Sequence, residues 1–160
     1  MNTKQAVSLR EITAATVRQV TALSVADSQR RFVATNAESL AEALFKKEAW
    51  FRAIYVRDDL AGFVMLFDER LREKPPASPR IALWRFMIDQ RFQGQGVGMA
   101  ALELVISHVR SAACFESLQV TYYPGPGCPE KFYLKAGFVH TGREDEGEVI
   151  LELPLRPGAA

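Results

Sequence analysis

A chain of 160 residues that is 48% apolar and 24% charged has the length and composition of one ordinary folded domain, not of a disordered segment. Its net charge of +1 provides no strong field to attract nucleic acid or an anionic membrane. The longest apolar runs, such as 60–67, are far short of a bilayer span, and no apolar leader opens the chain. Cys114 and Cys128 lack CxxC spacing and histidine partners, so reduced thiols are expected rather than a zinc site or a disulfide. A cytoplasmic protein without a metal is the default expectation.

In chain order, 7–12 alternates apolar and polar positions as a half-buried strand does. Residues 14–24 read as a helix opened by Thr13, and 37–47 as a second helix capped by Asn36, with Leu40, Ala43 and Leu44 as its apolar stripe. Two β-rich runs, 50–56 and 60–67, flank Arg57-Asp58-Asp59 as a hairpin. The proline-rich, charged stretch 69–79 reads as an exposed loop. The apolar run 80–88 is expected to be a central strand buried on both faces.

Three glycines follow in Gln93-Gly94-Gln95-Gly96-Val97-Gly98. The next helix carries Ala101, Leu102, Val105, Ile106 and Val109 at helical spacing. A strand over 118–123 ends at Pro124-Gly125-Pro126-Gly127. A short helix over 129–135 stops at Gly137, and 138–153 forms two strands joined by the acidic turn 144–147. His108 is expected on the polar side of its helix, and His140 is too isolated to suggest a metal site.

Glycines between a strand and a helix let a ligand approach the main chain, and the free amides of the first helical turn favour an anion. A phosphate or pyrophosphate is the natural guest. No Lys-Ser/Thr follows the last glycine, as a phosphate-binding NTPase loop requires, and the loop follows a late strand rather than the first.

Gln93-x-x-Gly96-x-Gly98, with Phe132-Tyr133-x-x-x-Gly137-Phe138 downstream, resembles the GNAT N-acetyltransferase superfamily over nearly the whole chain. The stretch 84–89 before the loop, with Gly147-Glu148 near the end, resembles its bacterial diamine and spermidine branch. The resemblance implies a mixed, mostly antiparallel α/β sheet of about seven strands with four helices, splayed at the centre to admit acetyl-CoA. It implies that amides of Gln93, Gly94, Gln95, Gly96, Val97, Gly98 and Met99 hold the pyrophosphate. Main-chain groups of Phe86, Met87 and Ile88 would pair with the pantetheine arm, and Tyr133 would protonate the departing thiolate.

In this chain 126–129 replaces the asparagine many members carry before the short helix. Trp84 stands where related polyamine enzymes can carry a glutamate, and Arg85 beside it is no base. Glu148 is the candidate carboxylate, with Asn36, Ser39 and Glu38 as candidate lining of the acceptor pocket. The expected reaction is direct acetyl transfer to a primary amine, a diamine or polyamine such as spermidine. A peptide, protein or antibiotic amine is the alternative acceptor, and a catalytically silent acyl-CoA-binding module the alternative function. A homodimer is compatible with exposed edge strands.

Overall fold

The computed structural model describes residues 6–156. Its backbone is organised by one seven-stranded sheet in the order β1-β2-β3-β4-β5-β7-β6. The strands are β1 (Val7–Arg10), β2 (Ala49–Val56), β3 (Asp59–Asp68), β4 (Ile81–Ile88), β5 (Ser117–Tyr122), β6 (Val139–Asp145) and β7 (Glu148–Pro154). The helices are α1 (Val17–Ala22), α2 (Asn36–Ala43), α3 (Val97–Ser111) and α4 (Glu130–Lys135). All neighbouring strands are antiparallel except β4 and β5.

Side chains alternate across the sheet and so divide the apolar residues between two cores. On β3, Val64 and Leu66 join Leu83, Leu102, Val105, Tyr133 and Phe138 beneath α3 and α4. Phe63 and Met65 face the other way, toward Met87, Val20 and Leu23. Burying a leucine such as Leu102 completely contributes about 2 kcal/mol of transfer free energy, so the α3 stripe fixes that helix against the sheet. Where β2 turns into β3, Val56 pairs with Asp59 and Arg57 takes a positive φ of 54°.

Several local expectations are corrected. The first helix begins only at Val17, because residues 13–16 form a turn in which Val17 N–H bonds Thr13 O at 2.9 Å. Thr35, not Asn36, caps the second helix by accepting Glu38 N–H at 3.2 Å. That helix stops at Ala43, leaving Leu44 and Phe45 81% and 85% exposed.

The stretch 69–79 is not exposed throughout. Glu69, 3% exposed, accepts Arg80 N–H at 2.8 Å and the Arg80 guanidinium at 3.0 Å. Those bonds outweigh burial and hold its carboxyl below the usual range. His108 also differs from expectation, stacking on Trp50 with ring centroids 4.2 Å apart. Its Nε2 is buried without a hydrogen-bond partner among the described residues. Burial, with Arg70 and Arg52 adding repulsion against a smaller pull from Asp68, depresses its pKa.

Candidate active site

The functional cleft starts where the sheet stops being continuous. β4 and β5 pair over only Ile81–Leu83 and Leu118–Val120. At that point β4 carries a bulge: Leu83 faces Leu66, Arg85 faces Met65, and Trp84 is the extra residue between them. A bulge bends its strand and breaks its ladder, so β4 and β5 diverge. The edge of β4 from Trp84 to Ile88 is left without a β5 partner. This corrects the expectation of a strand buried on both faces, since Trp84, Arg85 and Phe86 are only half-buried.

The opening is a cleft of about 1440 Å³. Phe86, Met87 and Ile88 line one wall, Val120, Thr121 and Tyr122 another, and Gly94, Gly96, Gly98 and Met99 its end. Gln93 lines it too, and its side-chain amide donates to Ile88 O at 2.9 Å and Gln29 Oε1 at 2.7 Å. It therefore braces the loop against the strand it leaves. Asp89, 3% exposed, accepts Ser24 N–H at 3.0 Å and the Arg91 guanidinium at 2.7 Å, fixing the end of β4 against the end of α1. Burial alone would raise its pKa, but Arg91 and these amides outweigh that and keep the carboxyl ionised.

The loop geometry suits an anion. Gly94 and Gly96 have φ of 73° and 79°, a region that disfavours side chains, and a Cβ at either would meet no atom within 4 Å. Gly96 caps α3, and the first helical bond runs from Ala100 N–H to Gly96 O. The amides of Val97, Gly98 and Met99 therefore have no intrahelical acceptor, and the dipole of a 15-residue helix adds to them. Val97 contributes only main chain, its side chain being buried in the core, and the Gln95 side chain folds back to Arg91 O. At Gly98 a methyl would make ordinary 3.5 Å contacts with Ile88 and Phe132, so the position tolerates alanine sterically. An open cradle of free amides fits a pyrophosphate.

Tyr133 reaches the cleft from α4. It is 6% exposed and packs edge-on between Phe132 and Phe138, with centroids 5.3 and 5.5 Å away. Burial raises its pKa, so the phenol stays protonated throughout the ordinary pH range. Phe132 stacks in turn on Phe86 of β4, which couples the helix carrying the phenol to the open strand edge.

On the sheet face toward α2 the cleft is lined by Phe67, Trp84, Arg85, Gln119, Thr121, Tyr123, Glu38 and Glu148. Arg85 is directed at Glu42, with Nη2 3.3 Å from Oε2. Glu38 and Glu148 thus line the cleft, but Asn36 and Ser39 do not. Both are buried beneath the cleft: Asn36 donates to Val20 O at 2.9 Å, and Ser39 to Thr35 O at 3.0 Å. The Asn36 amide is consumed in holding α2 against α1, and the Ser39 hydroxyl within the first turn of α2 itself. The segment Asp27–Phe32, a 3-10 turn that sequence reasoning did not single out, also lines the cleft through Gln29, Arg30, Arg31 and Phe32.

The acetyltransferase (GNAT) family matches residues 18–138, which include the splayed strands, the glycine cradle and Tyr133. The chain belongs to the GNAT family. Among its relatives, the spermine/spermidine N(1)-acetyltransferase of Bacillus subtilis (strain 168) is 30% identical over 101 residues. That match covers 61% of this chain and 65% of the relative's length.

The GNAT fold itself is shared with solved structures of low identity. The ribosomal-protein-S18-alanine N-acetyltransferase of Escherichia coli superposes with a TM-score of 0.67 at 13% identity, covering 96% of both chains. AtaTR, solved with AcCoA bound, gives 0.68 at 18% identity, covering 94% of this chain and 95% of its own. Among the described residues no helix is long and apolar enough to cross a membrane.

Proposed function

We propose that this GNAT protein transfers the acetyl group of acetyl-CoA to a primary amine, and that its preferred acceptor is a diamine or polyamine. The observation that carries the acyl-transfer reading is the unpaired edge of β4 opening directly onto the glycine-capped start of α3. The Val97, Gly98 and Met99 amides would hold the pyrophosphate, and the main chain of Phe86, Met87 and Ile88 would bind an extended arm as an added strand. Acetyl-CoA supplies an activated thioester.

The protein's part in the reaction is then positional and electrostatic. The β4 edge orients the thioester beside the acceptor face, where a donor from the same edge polarises its carbonyl. Tyr133 Oη holds a proton for the departing sulfur, and burial prevents the phenol from ionising beforehand. Phe67 and Trp84, in edge contact at 5.9 Å, offer an apolar wall to a methylene chain.

The acceptor assignment draws on the spermine/spermidine relative and on charge. A polyamine must present one neutral amine while its remaining ammonium groups stay paired, since an unpaired charge in a cleft is costly. Glu38 and Glu148 line the acceptor face, whereas the nearby cation Arg85 is already opposed by Glu42.

Steady-state turnover with acetyl-CoA and a panel of amines tests both levels of the proposal. Spermidine, spermine and short diamines should exceed a peptide amine and an aminoglycoside in kcat/KM. A better peptide or aminoglycoside acceptor refutes the polyamine assignment, and no turnover with any amine refutes the transferase.

A further inference from the structure

Coenzyme A carries a pyrophosphate and a ribose phosphate, yet residues 93–99 contain no lysine or arginine. Arg91, just before the loop, is held by Asp89 at 2.7 Å and does not line the cleft. Free amides stabilise an anion, but a multiply charged one in a partly enclosed site also calls for cations. Among the described residues, the cations that line this cleft are Arg30, Arg31, Arg85 and Lys135. Arg85 is directed at Glu42 on the acceptor face, while Arg30 and Arg31 belong to Asp27–Phe32.

That segment crosses the mouth of the divide between β4 and β5. At one end Gln29 Oε1 accepts the Gln93 amide at 2.7 Å, touching the glycine loop on the β4 side. At the other, Arg31 Nη2 donates to Pro126 O at 2.6 Å, touching the loop that follows β5. The Arg31 guanidinium lies 4.5 Å over the Phe32 ring, and that ring comes within 3.9 Å of where a Cβ on Gly127 would sit. Arg30 has a single carboxylate neighbour in its own turn, Asp27 at 3.1 Å. None of the six residues is buried. The crossing is therefore held at its two ends rather than by a core of its own, and opening it is cheap.

We propose that Asp27–Phe32 is a basic clasp over the cofactor's phosphates, in which Arg30 and Arg31 supply the positive charge that the glycine loop lacks. The clasp rests on the acetyl-CoA reading above and adds residues to it that neither the loop motif nor the acceptor face provides. Because it touches both arms of the splayed sheet, it joins them across the phosphate end of the cleft. Arg31 keeps Pro126 O through Nη2 while its other guanidinium N–H groups donate to a phosphate oxygen when the ligand is seated, and Gln29 keeps the segment registered on the loop.

Binding to the full chain decides this, measured by calorimetry with coenzyme A, 3'-dephospho-coenzyme A and pantetheine, which has the arm but no phosphate. The double variant Arg30→Gln/Arg31→Gln should bind coenzyme A more weakly by about tenfold or more and show a shallower dependence of Kd on salt. Its affinity for pantetheine should equal that of the unaltered protein. Arg31→Lys should retain most of the affinity, because it keeps the charge. Loss with coenzyme A alone assigns the pair to the ribose phosphate, and loss with the dephospho form as well assigns it to the pyrophosphate. Either result supports the clasp. Unchanged coenzyme A affinity and salt slope overturn it, as does an equal loss with pantetheine. An unaltered protein that binds none of the three overturns the acetyl-CoA reading, and the clasp with it.

Discussion

Substituting Gly96 separates backbone strain from charge at the proposed pyrophosphate cradle. Its φ of 79° disfavours any side chain, but a Cβ there meets no atom within 4 Å. Gly96→Ala therefore costs only the left-handed conformation, about 1 kcal/mol, with no clash. Gly96→Asp bears the same strain and adds a negative charge at the mouth of the free amides. At a separation of about 5 Å and an effective dielectric of about 20, two unit charges repel by about 3 kcal/mol. Solvent and salt at this open site reduce that to about 1.4 kcal/mol or somewhat more, which is a tenfold loss of affinity beyond the alanine variant. A negative charge at a helix start is compatible with the helix, so circular dichroism and thermal melting should show both variants folded. Calorimetry with coenzyme A then compares them. If the aspartate variant binds as well as the alanine variant, no phosphate lies near Gly96 and the cradle is only a turn.

Three further outcomes follow from the same geometry. Tyr133→Phe should preserve cofactor affinity and lower kcat by about 10²-fold; an unchanged kcat on the best amine would leave Tyr133 a core aromatic. Glu148→Gln should raise KM for spermidine more than for a monoamine, since only the longer substrate has a second charge to lose, and equal increases would remove Glu148 from acceptor recognition. His108 has a folded pKa below its unfolded value near 6.5, so the unfolded chain binds the proton first as pH falls. Its stability contribution is complete above about 6.5 and is lost below that as pH falls toward the folded value. Melting temperatures of His108→Phe should therefore fall less steeply than those of the unaltered protein below pH 6.5, and parallel curves would show that the histidine is not responsible.

The sequence made some features legible because their determinants are local. The glycines at 94, 96 and 98, the five-residue apolar stripe of α3 and the aromatic run around Tyr133 each announce their structure within a few residues. Other features depend on partners that sequence spacing does not reveal. Thr35 and Asn36 are both good capping residues, and the choice between them is made by Val20 O, which takes the Asn36 amide. Glu69 looks like loop charge until Arg80 folds over it. The bulge at Trp84 arises from pairing register with β3, and nothing in an apolar run marks where a ladder will skip. The segment Asp27–Phe32 has no apolar period, and its two anchors lie 64 and 95 residues away.

The unpaired flank of β4 has a consequence for the protein's handling in solution. A row of unused amide and carbonyl groups is a template for β-sheet growth, and exterior edges are commonly blunted by prolines or charges. Between Trp84 and Ile88 the only such residue is Arg85. Protection comes instead from geometry: the unpaired rung lines an internal cleft, beside the three-residue contact that β5 keeps with β4, rather than the outer rim of the sheet. Partial unfolding that pulls β5 away would uncover five consecutive positions of a strongly β-forming segment. Self-association of this protein under mild heat should thus begin from its centre rather than its rim, and an extended ligand lying along that rung would act as a solubiliser.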